Sequence, residues 1–259
     1  MGDVLVVEDD RVVLAALARL CRAEGLQVAD SDSVDAALAI LAEISFRLAV
    51  VDLMLPGRSG RELLQVMRTE HPETPVIIVS GYATPDNAVE SLRAGAFDFL
   101  PKPFDIEELL GVVRRGLRYG ERRRLAASAA VAAAPRYFLG QHSWATLDAE
   151  GTATVGAGES FQGVLGDVVR VELPAAGDHA TRGARVARLT GAEEVHRIWS
   201  PLSGRVVAIN SGLAGDAAAI DRAPFDSGWL VRLLPADLTG ELPALTLRPA
   251  AGAAGAGGG

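Results

Sequence analysis

The chain has 259 residues, of which 49% are hydrophobic and 22% are charged. This length predicts one large or two small domains, and the apolar content excludes a wholly disordered chain. No apolar stretch reaches the roughly 20 residues of a membrane-spanning helix, and the acidic N-terminus argues against a secretory signal. One cysteine, Cys21, and four scattered histidines indicate neither a disulfide framework nor a zinc site. We therefore expect a cytoplasmic protein with no membrane partner.

The net charge of −8 is unevenly distributed along the chain. Residues 1–110 carry −10, residues 111–136 carry +6 and residues 137–259 carry −4. Of the 25 basic residues, 24 are arginine, and the only lysine is Lys102. A nucleic-acid binder usually has a basic face on a folded domain, and only the middle segment is basic here. Nucleic acid is therefore not expected as a partner.

Residues 1–118 alternate short apolar runs with helical patterns. The runs Val4–Val7, Leu48–Leu53 and Val76–Val79 are typical of strands buried on both faces. Between and after them, apolar residues recur at the three- and four-residue spacing of helices. This alternation predicts a doubly wound parallel sheet with helices on both faces.

Residues 119–136 are rich in arginine and alanine and predict either an extension of the preceding helix or a loose linker. The basic residues around this segment are Arg114, Arg115, Arg118, Arg122, Arg123 and Arg124. A solvated helical face is the favoured interpretation. Electrostatic docking onto an acidic surface is the main alternative, and nucleic-acid binding is a poor third because no helix-turn-helix pattern follows.

Residues 137–240 contain short β-type runs separated by Gly, Asp, Asn and Pro turns, a pattern that predicts a small barrel or sandwich. Residues 241–259 end in a run of alanine and glycine. This tail has little to bury, and we expect it to be disordered.

Several polar residues fall where predicted parallel strands end: Glu8, Asp9, Asp52, Ser80 and Lys102. Such ends meet at one edge of a sheet, which is where these folds place their sites. Three converging carboxylates are tolerated together if a hard cation such as Mg²⁺ binds among them. With a hydroxyl and an ammonium nearby, the arrangement indicates a phosphoryl acceptor in which Asp52 attacks.

The motifs that carry these residues resemble a response-regulator receiver domain. They are VVEDD at 6–10, VVDLMLPGRSG at 50–60, VIIVSGY at 76–82 and FDFLPKPF at 97–104. The resemblance implies that Asp52 is phosphorylated by a partner histidine kinase. It places Mg²⁺ on Glu8, Asp9, Asp52 and the Met54 carbonyl. It also implies that Lys102 binds the phosphoryl group, that Ser80 and Phe99 are the switch residues, and that the Lys102–Pro103 peptide is cis.

The second half is similar to the glycine cleavage system H protein, a lipoyl-carrier barrel. The matching segments include LGDVVRVELP at 165–174, SPLSGRVVAIN at 200–210 and PFDSGWLVRLLPADL at 224–238. The resemblance implies a barrel-sandwich hybrid fold with a protruding hairpin, on which the family carries its lipoyl lysine. An ungapped count places that position at Glu193, and a carboxylate cannot accept lipoate through the usual amide. We therefore expect no lipoate on this domain.

The expected fold class is α/β plus all-β: a five-stranded receiver domain followed by a barrel-sandwich hybrid. The expected function is a non-enzymatic two-component response regulator that signals through an H protein-like interaction domain to an unknown output protein. Homodimer formation on phosphorylation stays open. Candidate contacts of the output domain are Glu193, Glu194, His196 and Trp199, with a core role open for Trp199. A decayed spacer domain and an accessory subunit of a glycine cleavage system are the alternatives.

Overall fold

The computed structural model describes residues 2–125 and 135–248, without the side chains of residues 122–125. The chain divides into two compact units. One comprises Met1–Arg124 with Glu193–His196, and the other comprises Leu125–Ala192 with Arg197–Gly259. Within the described ranges, no helix has the length and apolar character needed to cross a membrane.

The first unit is built on a parallel sheet with helices between its strands. The strands are β1 (Gly2–Val7), β2 (Val28–Ser31), β3 (Phe46–Asp52), β4 (Val76–Ser80) and β5 (Asp98–Pro101). The helices are α1 (Arg11–Ala23), α2 (Val34–Glu43), α3 (Gly60–Glu70), α4 (Pro85–Arg93) and α5 (Ile106–Leu125). The strand order is β2-β1-β3-β4-β5, and every neighbouring pair is parallel. The predicted doubly wound five-stranded sheet is confirmed.

Local sequence fixes where the helices of this unit begin. Asp10 caps α1 by accepting the N–H groups of Val12 and Val13 at 2.8 and 3.2 Å. Ser59 and Glu62 form a reciprocal capping box at the start of α3. Because Asp10 is used as a cap, only Glu8 and Asp9 of the three consecutive acids face the carboxyl edge of the sheet.

The second half of the chain forms antiparallel sheets, as predicted. Its strands are β6 (Arg136–Leu139), β7 (Ser143–Leu147), β8 (Ala153–Ala157), β9 (Val168–Glu172), β10 (His179–Ala180), β11 (Arg185–Gly191), β12 (Val195–Trp199), β13 (Gly204–Ile209), β14 (Trp229–Pro235) and β15 (Thr246–Arg248). Two single-turn helices, α6 (Ala219–Arg222) and α7 (Leu238–Glu241), follow β13 and β14. The seven-stranded sheet has the order β10-β13-β14-β8-β7-β6-β15, and the three-stranded sheet has the order β12-β11-β9.

The predicted start of the disordered tail is wrong. The expected disordered tail at 241–259 starts too early, because residues 246–248 form β15 and pair with β6 through Thr246–Phe138 and Leu247–Tyr137. The segment 119–136, expected as a helix extension or a linker, continues α5 as far as Leu125, which fits the first alternative, and Arg136 belongs to β6. The rest of the predicted linker, 126–134, and of the tail, 249–259, lies outside the described residues.

Candidate functional site

The carboxyl edge of the parallel sheet brings the predicted acidic residues together. Glu8 follows β1, and Asp52 is the last residue of β3. One carboxylate oxygen from each of Glu8, Asp9 and Asp52 lies within 4.8 Å of the others. Glu8 and Asp52 are buried, whereas Asp9 is exposed. This donor set of carboxylate oxygens, open on one side, fits a hard divalent cation that keeps part of its water shell.

Lys102 bonds two of the three acids of this cluster. Its Nζ is 2.5 Å from Glu8 Oε2 and 2.5 Å from Asp52 Oδ2. Burial lowers the pKa of the Lys102 ammonium, but its bonds to Asp52 and Glu8 outweigh burial and raise that pKa. Lys102 is therefore a fixed positive charge that bridges the two buried carboxylates.

For Glu8, burial outweighs the bond to Lys102. Burial raises the pKa of its carboxyl above the usual value, and the negative charge of Asp52 adds to that rise, although Lys102 opposes both. An additional cation at the cluster would stabilise the ionised form of this carboxyl.

Two further predicted residues lie close to the ends of β3 and of its neighbour β4. Met54, which is exposed, donates its N–H to Asp52 Oδ1 at 2.7 Å. Ser80 is buried at the end of β4, and its Oγ accepts the N–H of Tyr82 at 3.0 Å. The Lys102–Pro103 peptide is cis, as the family resemblance implied. The metal-ligating role of the Met54 carbonyl stays a prediction.

Phe99 lies in β5 and is only 2% exposed. Any movement of this ring on phosphorylation would therefore be a rearrangement inside the core and not the burial of an exposed ring. Its N–H donates to Asp98 Oδ1 at 2.7 Å. The switch role of Phe99 stays a prediction.

Sequence reasoning missed Gly60, which holds the backbone of Asp52 in place. Its N–H donates to the Leu53 carbonyl at 3.1 Å. A Cβ atom at Gly60 would lie 1.9 Å from the Asp52 carbonyl oxygen, which is far inside contact distance. The first residue of α3, which follows Ser59 in the RSG segment, therefore has to be glycine, and a glycine shortly after a predicted strand was the only signal for this in the sequence.

The described arginine side chains of α5 do not form the predicted solvated face. Arg115 is fully buried and forms an ion pair with Asp98, which is itself buried. Arg114 pairs with Glu24 at 2.6 Å, and Arg118 pairs with Glu194. These three arginines therefore pair with acids of their own unit. The side chains of Arg122, Arg123 and Arg124 lie outside the described part of the structure.

The four candidate contacts of the second domain differ in exposure. Glu193 lies in the turn between β11 and β12, as its predicted hairpin position requires, and its side chain is 78% exposed. Glu194 and His196 are largely buried and bonded to each other at 3.2 Å. Trp199 is buried, and its backbone N–H donates to His142 Nε2 at 3.2 Å. Trp199 is thus a core residue, as the alternative interpretation had it. Of the four candidates, only Glu193 has a side chain that is mostly exposed to solvent.

Comparison with known proteins separates the same two parts of the chain. Residues 4–114 match the family model described as response regulator receiver domain, and residues 136–248 match the model described as glycine cleavage H-protein. Response regulator protein FleR of Pseudomonas aeruginosa is 42% identical over 112 residues, which are 43% of this chain and 24% of FleR. The glycine cleavage system H protein of Hydrogenovibrio crunogenus is 38% identical over 102 residues, which are 39% of this chain and 79% of that protein.

A solved receiver domain from Methanospirillum hungatei is 32% identical and covers 48% of this chain and 98% of its own, with a TM-score of 0.46. The chain spans only about a quarter of the length of the curated response regulators that it matches. The parallel sheet with its acidic edge and the antiparallel second half define a receiver joined to an H-protein fold. The chain belongs to the response regulator receiver family over residues 4–114 and to the glycine cleavage H-protein family over residues 136–248.

Proposed function

We propose that the chain is a two-component response regulator that a partner sensor histidine kinase phosphorylates on Asp52. The observation that carries this proposal is the position of Lys102. In a chain that otherwise uses only arginine, the single lysine bonds both Asp52 and Glu8. A compact ammonium can contact one phosphoryl oxygen as a point charge, which a longer, planar guanidinium does less well.

The transfer itself needs one nucleophile. An Asp52 carboxylate oxygen attacks the phosphorus of a phosphohistidine, a P–O bond forms, the P–N bond breaks and the imidazole leaves. Lys102 would bind the new phosphoryl oxygens, and the Ser80 hydroxyl would donate to one of them after turning away from Tyr82. Glu8, Asp9, Asp52 and the Met54 carbonyl would hold Mg²⁺, which supplies neutralising charge when it is bound.

We further propose that the H protein-like half is a non-enzymatic interaction module that carries no lipoate. The sequence contains no lysine outside Lys102, and that amine lies in the acidic cluster. An output protein would bind this half, and a homodimer formed on phosphorylation is a compatible mode of output. The cytoplasmic location stays a prediction, as does the alternative role as an accessory subunit of a glycine cleavage system.

The direct test is labelling with a small phosphodonor. Incubation of the full chain with Mg²⁺ and acetyl phosphate should add one phosphoryl group by intact mass, and an Asp52→Asn variant should gain none. An Asp35→Asn variant is the matched control, since Asp35 is an exposed acid of the same unit. Equal labelling of the Asp52→Asn and Asp35→Asn variants would refute the proposal.

A further inference from the structure

Residues Glu193–His196, hereafter the acidic turn, belong to the same compact unit as Met1–Arg124. Arg118 of α5 donates two parallel hydrogen bonds to the Glu194 carboxylate, at 2.9 and 2.8 Å. Arg114 Nη1 lies 3.3 Å from Glu193 Oε2 and 3.4 Å from the Glu193 carbonyl oxygen. Two adjacent carboxylates thus face two arginines one helical turn apart. The bidentate bond between Arg118 and Glu194 is the stronger kind of arginine–carboxylate pair, because two parallel hydrogen bonds fix the orientation of both groups.

The fit also depends on shape. A Cβ atom at Gly111 of α5 would lie 3.0 Å from both the N and the O of Val195 and 3.2 Å from His196 Cε1. The backbone of the acidic turn therefore approaches the helix at a position where a larger side chain would crowd it. His196 is only 2% exposed at this place. The contact thus includes the Arg118–Glu194 ion pair, a close backbone approach at Gly111 and the buried ring of His196. An ion pair between freely exposed side chains has neither of the last two features.

Electrostatics support a tight contact. Burial raises the pKa of the Glu194 carboxyl, but the hydrogen bonds from His196 and Arg118, with the charges of both, lower it to about 2. Burial lowers the pKa of His196, its bond to Glu194 opposes that effect, and the charge of Arg115 lowers it further. Glu194 is therefore a fixed anion at neutral pH, held between a helix arginine and a buried ring.

The same helix connects this contact with the predicted switch residue. Arg115, which follows Arg114, bonds one oxygen of the Asp98 carboxylate. The other oxygen accepts the N–H of Phe99 at 2.7 Å. The Arg115 guanidinium also lies 4.8 Å from the centre of the Phe97 ring. A shift of the Phe99 backbone therefore acts on a carboxylate that binds α5 at Arg115, the residue next to Arg114.

We propose that the acidic turn is an intramolecular ligand of α5 and that it opposes phosphorylation of Asp52. The α5 surface formed by Gly111, Arg114 and Arg118 fits a short turn with two adjacent carboxylates. A lysine at 193 or 194 would place a third cation beside these two arginines and would be repelled. The acids that stand at the predicted lipoyl position can instead bind the arginines. This inference rests on the proposed phosphorylation. Rearrangement of Phe99 on phosphorylation disturbs Asp98 and α5 and thereby loosens the turn.

The first experiment tests the contact without any phosphoryl group. Hydrogen exchange of α5 amides is compared in the full chain, in Arg118→Gln, in Glu194→Gln and in the double variant. Each single change should speed exchange about fivefold, and the double change should add little more, since both remove the same bonds. The exposed pair of Arg58 and Asp35, changed in the same way, is the control and should leave α5 exchange unaltered. Unaltered α5 exchange in both single variants, or fully multiplicative effects in the double variant, would overturn the contact.

The second experiment tests the coupling. Affinity for Mg²⁺ with beryllofluoride, a phosphoryl mimic, is measured by calorimetry for the full chain and for Glu193→Gln/Glu194→Gln. Because coupling is reciprocal, a turn that opposes phosphorylation must weaken binding of the mimic, so the variant should bind it about threefold or more tightly. Glu70→Gln/Glu73→Gln removes the same charge from exposed positions and should bind like the unchanged chain.

The outcomes separate the two proposals. Equal or weaker binding by Glu193→Gln/Glu194→Gln would overturn the coupling while the unchanged chain still binds the mimic, which leaves the role of Asp52 intact. Failure of the unchanged chain to bind the mimic would overturn the role of Asp52 and the coupling together. The exchange experiment then still decides whether the acidic turn is a ligand of α5.

Discussion

Asp98 and Arg115 form an ion pair that is closed to solvent on both sides, with the arginine fully buried and stacked over Phe97. Burial lowers the pKa of the Arg115 guanidinium, and the charge of Asp98 opposes that effect. A buried pair adds little stability compared with apolar residues of the same size, but each partner depends on the other. Asp98 thus links the last strand of the parallel sheet to α5.

Removing one partner should therefore destabilise the first unit strongly. An Asp98→Asn change leaves the Arg115 charge buried and should cost roughly 3–5 kcal/mol of the free energy of unfolding. The joint replacement Asp98→Leu/Arg115→Met removes both charges and should recover most of that loss. Urea-dependent hydrogen exchange of the buried β1 and β3 amides measures this unit alone. A loss in the double variant as large as in Asp98→Asn would contradict the account.

Lys102→Arg tests why this chain keeps one lysine. The change preserves charge but replaces a point donor with a longer, planar group in a site fitted around an ammonium. Labelling by acetyl phosphate should slow roughly a hundredfold, the usual effect of losing one well-placed donor. Arg61→Lys on the surface is the reverse control and should label normally. Labelling of Lys102→Arg at the normal rate would show that position 102 needs only a positive charge.

The Glu194 contact should depend on pH in a definite direction. The pKa of Glu194 is lowered in the fold from 4.5 to about 2, so its ionised form is stabilised by Arg118 and His196. The contribution of the bond is fully present above about pH 4.5 and is lost as the pH falls towards 2. The difference in α5 exchange between the unchanged chain and Glu194→Gln should thus be constant from pH 7 to 5 and shrink below about pH 4.5. A difference that vanishes above pH 5 would contradict this assignment.

The second domain should fold without lipoylation. Protein made in lipoate-replete cells should show no lipoyl mass, because position 193 presents a carboxylate and the single amine of Lys102 is held by two acids. Glu193→Lys is the informative companion, since the exposed turn then offers an amine to a lipoate ligase. Modification of that variant would show that the hairpin geometry is preserved. A lipoyl adduct on the unchanged chain would refute the absence of the cofactor.

The sequence predicted the site better than its surroundings. Glu8, Asp9, Asp52 and Lys102 could be placed because strand ends of a parallel sheet meet at one edge and because a lone lysine stands out among arginines. The burial of Arg115 could not be predicted, since a run of arginines on a helix is usually solvated and its partner, Asp98, lies in a different element. Residues Thr246–Arg248 were missed because a three-residue strand has no periodic pattern and gains its order only from pairing with β6.

The position of the phosphoryl group is the most direct measure of the central claim. After labelling with acetyl phosphate, borohydride reduces an aspartyl phosphate to homoserine, and tandem mass spectrometry then locates that residue in the chain. We expect homoserine at position 52 alone, and none in an Asp52→Asn variant. Homoserine at Asp9 or Asp10, with Asp52 unreduced, would contradict it.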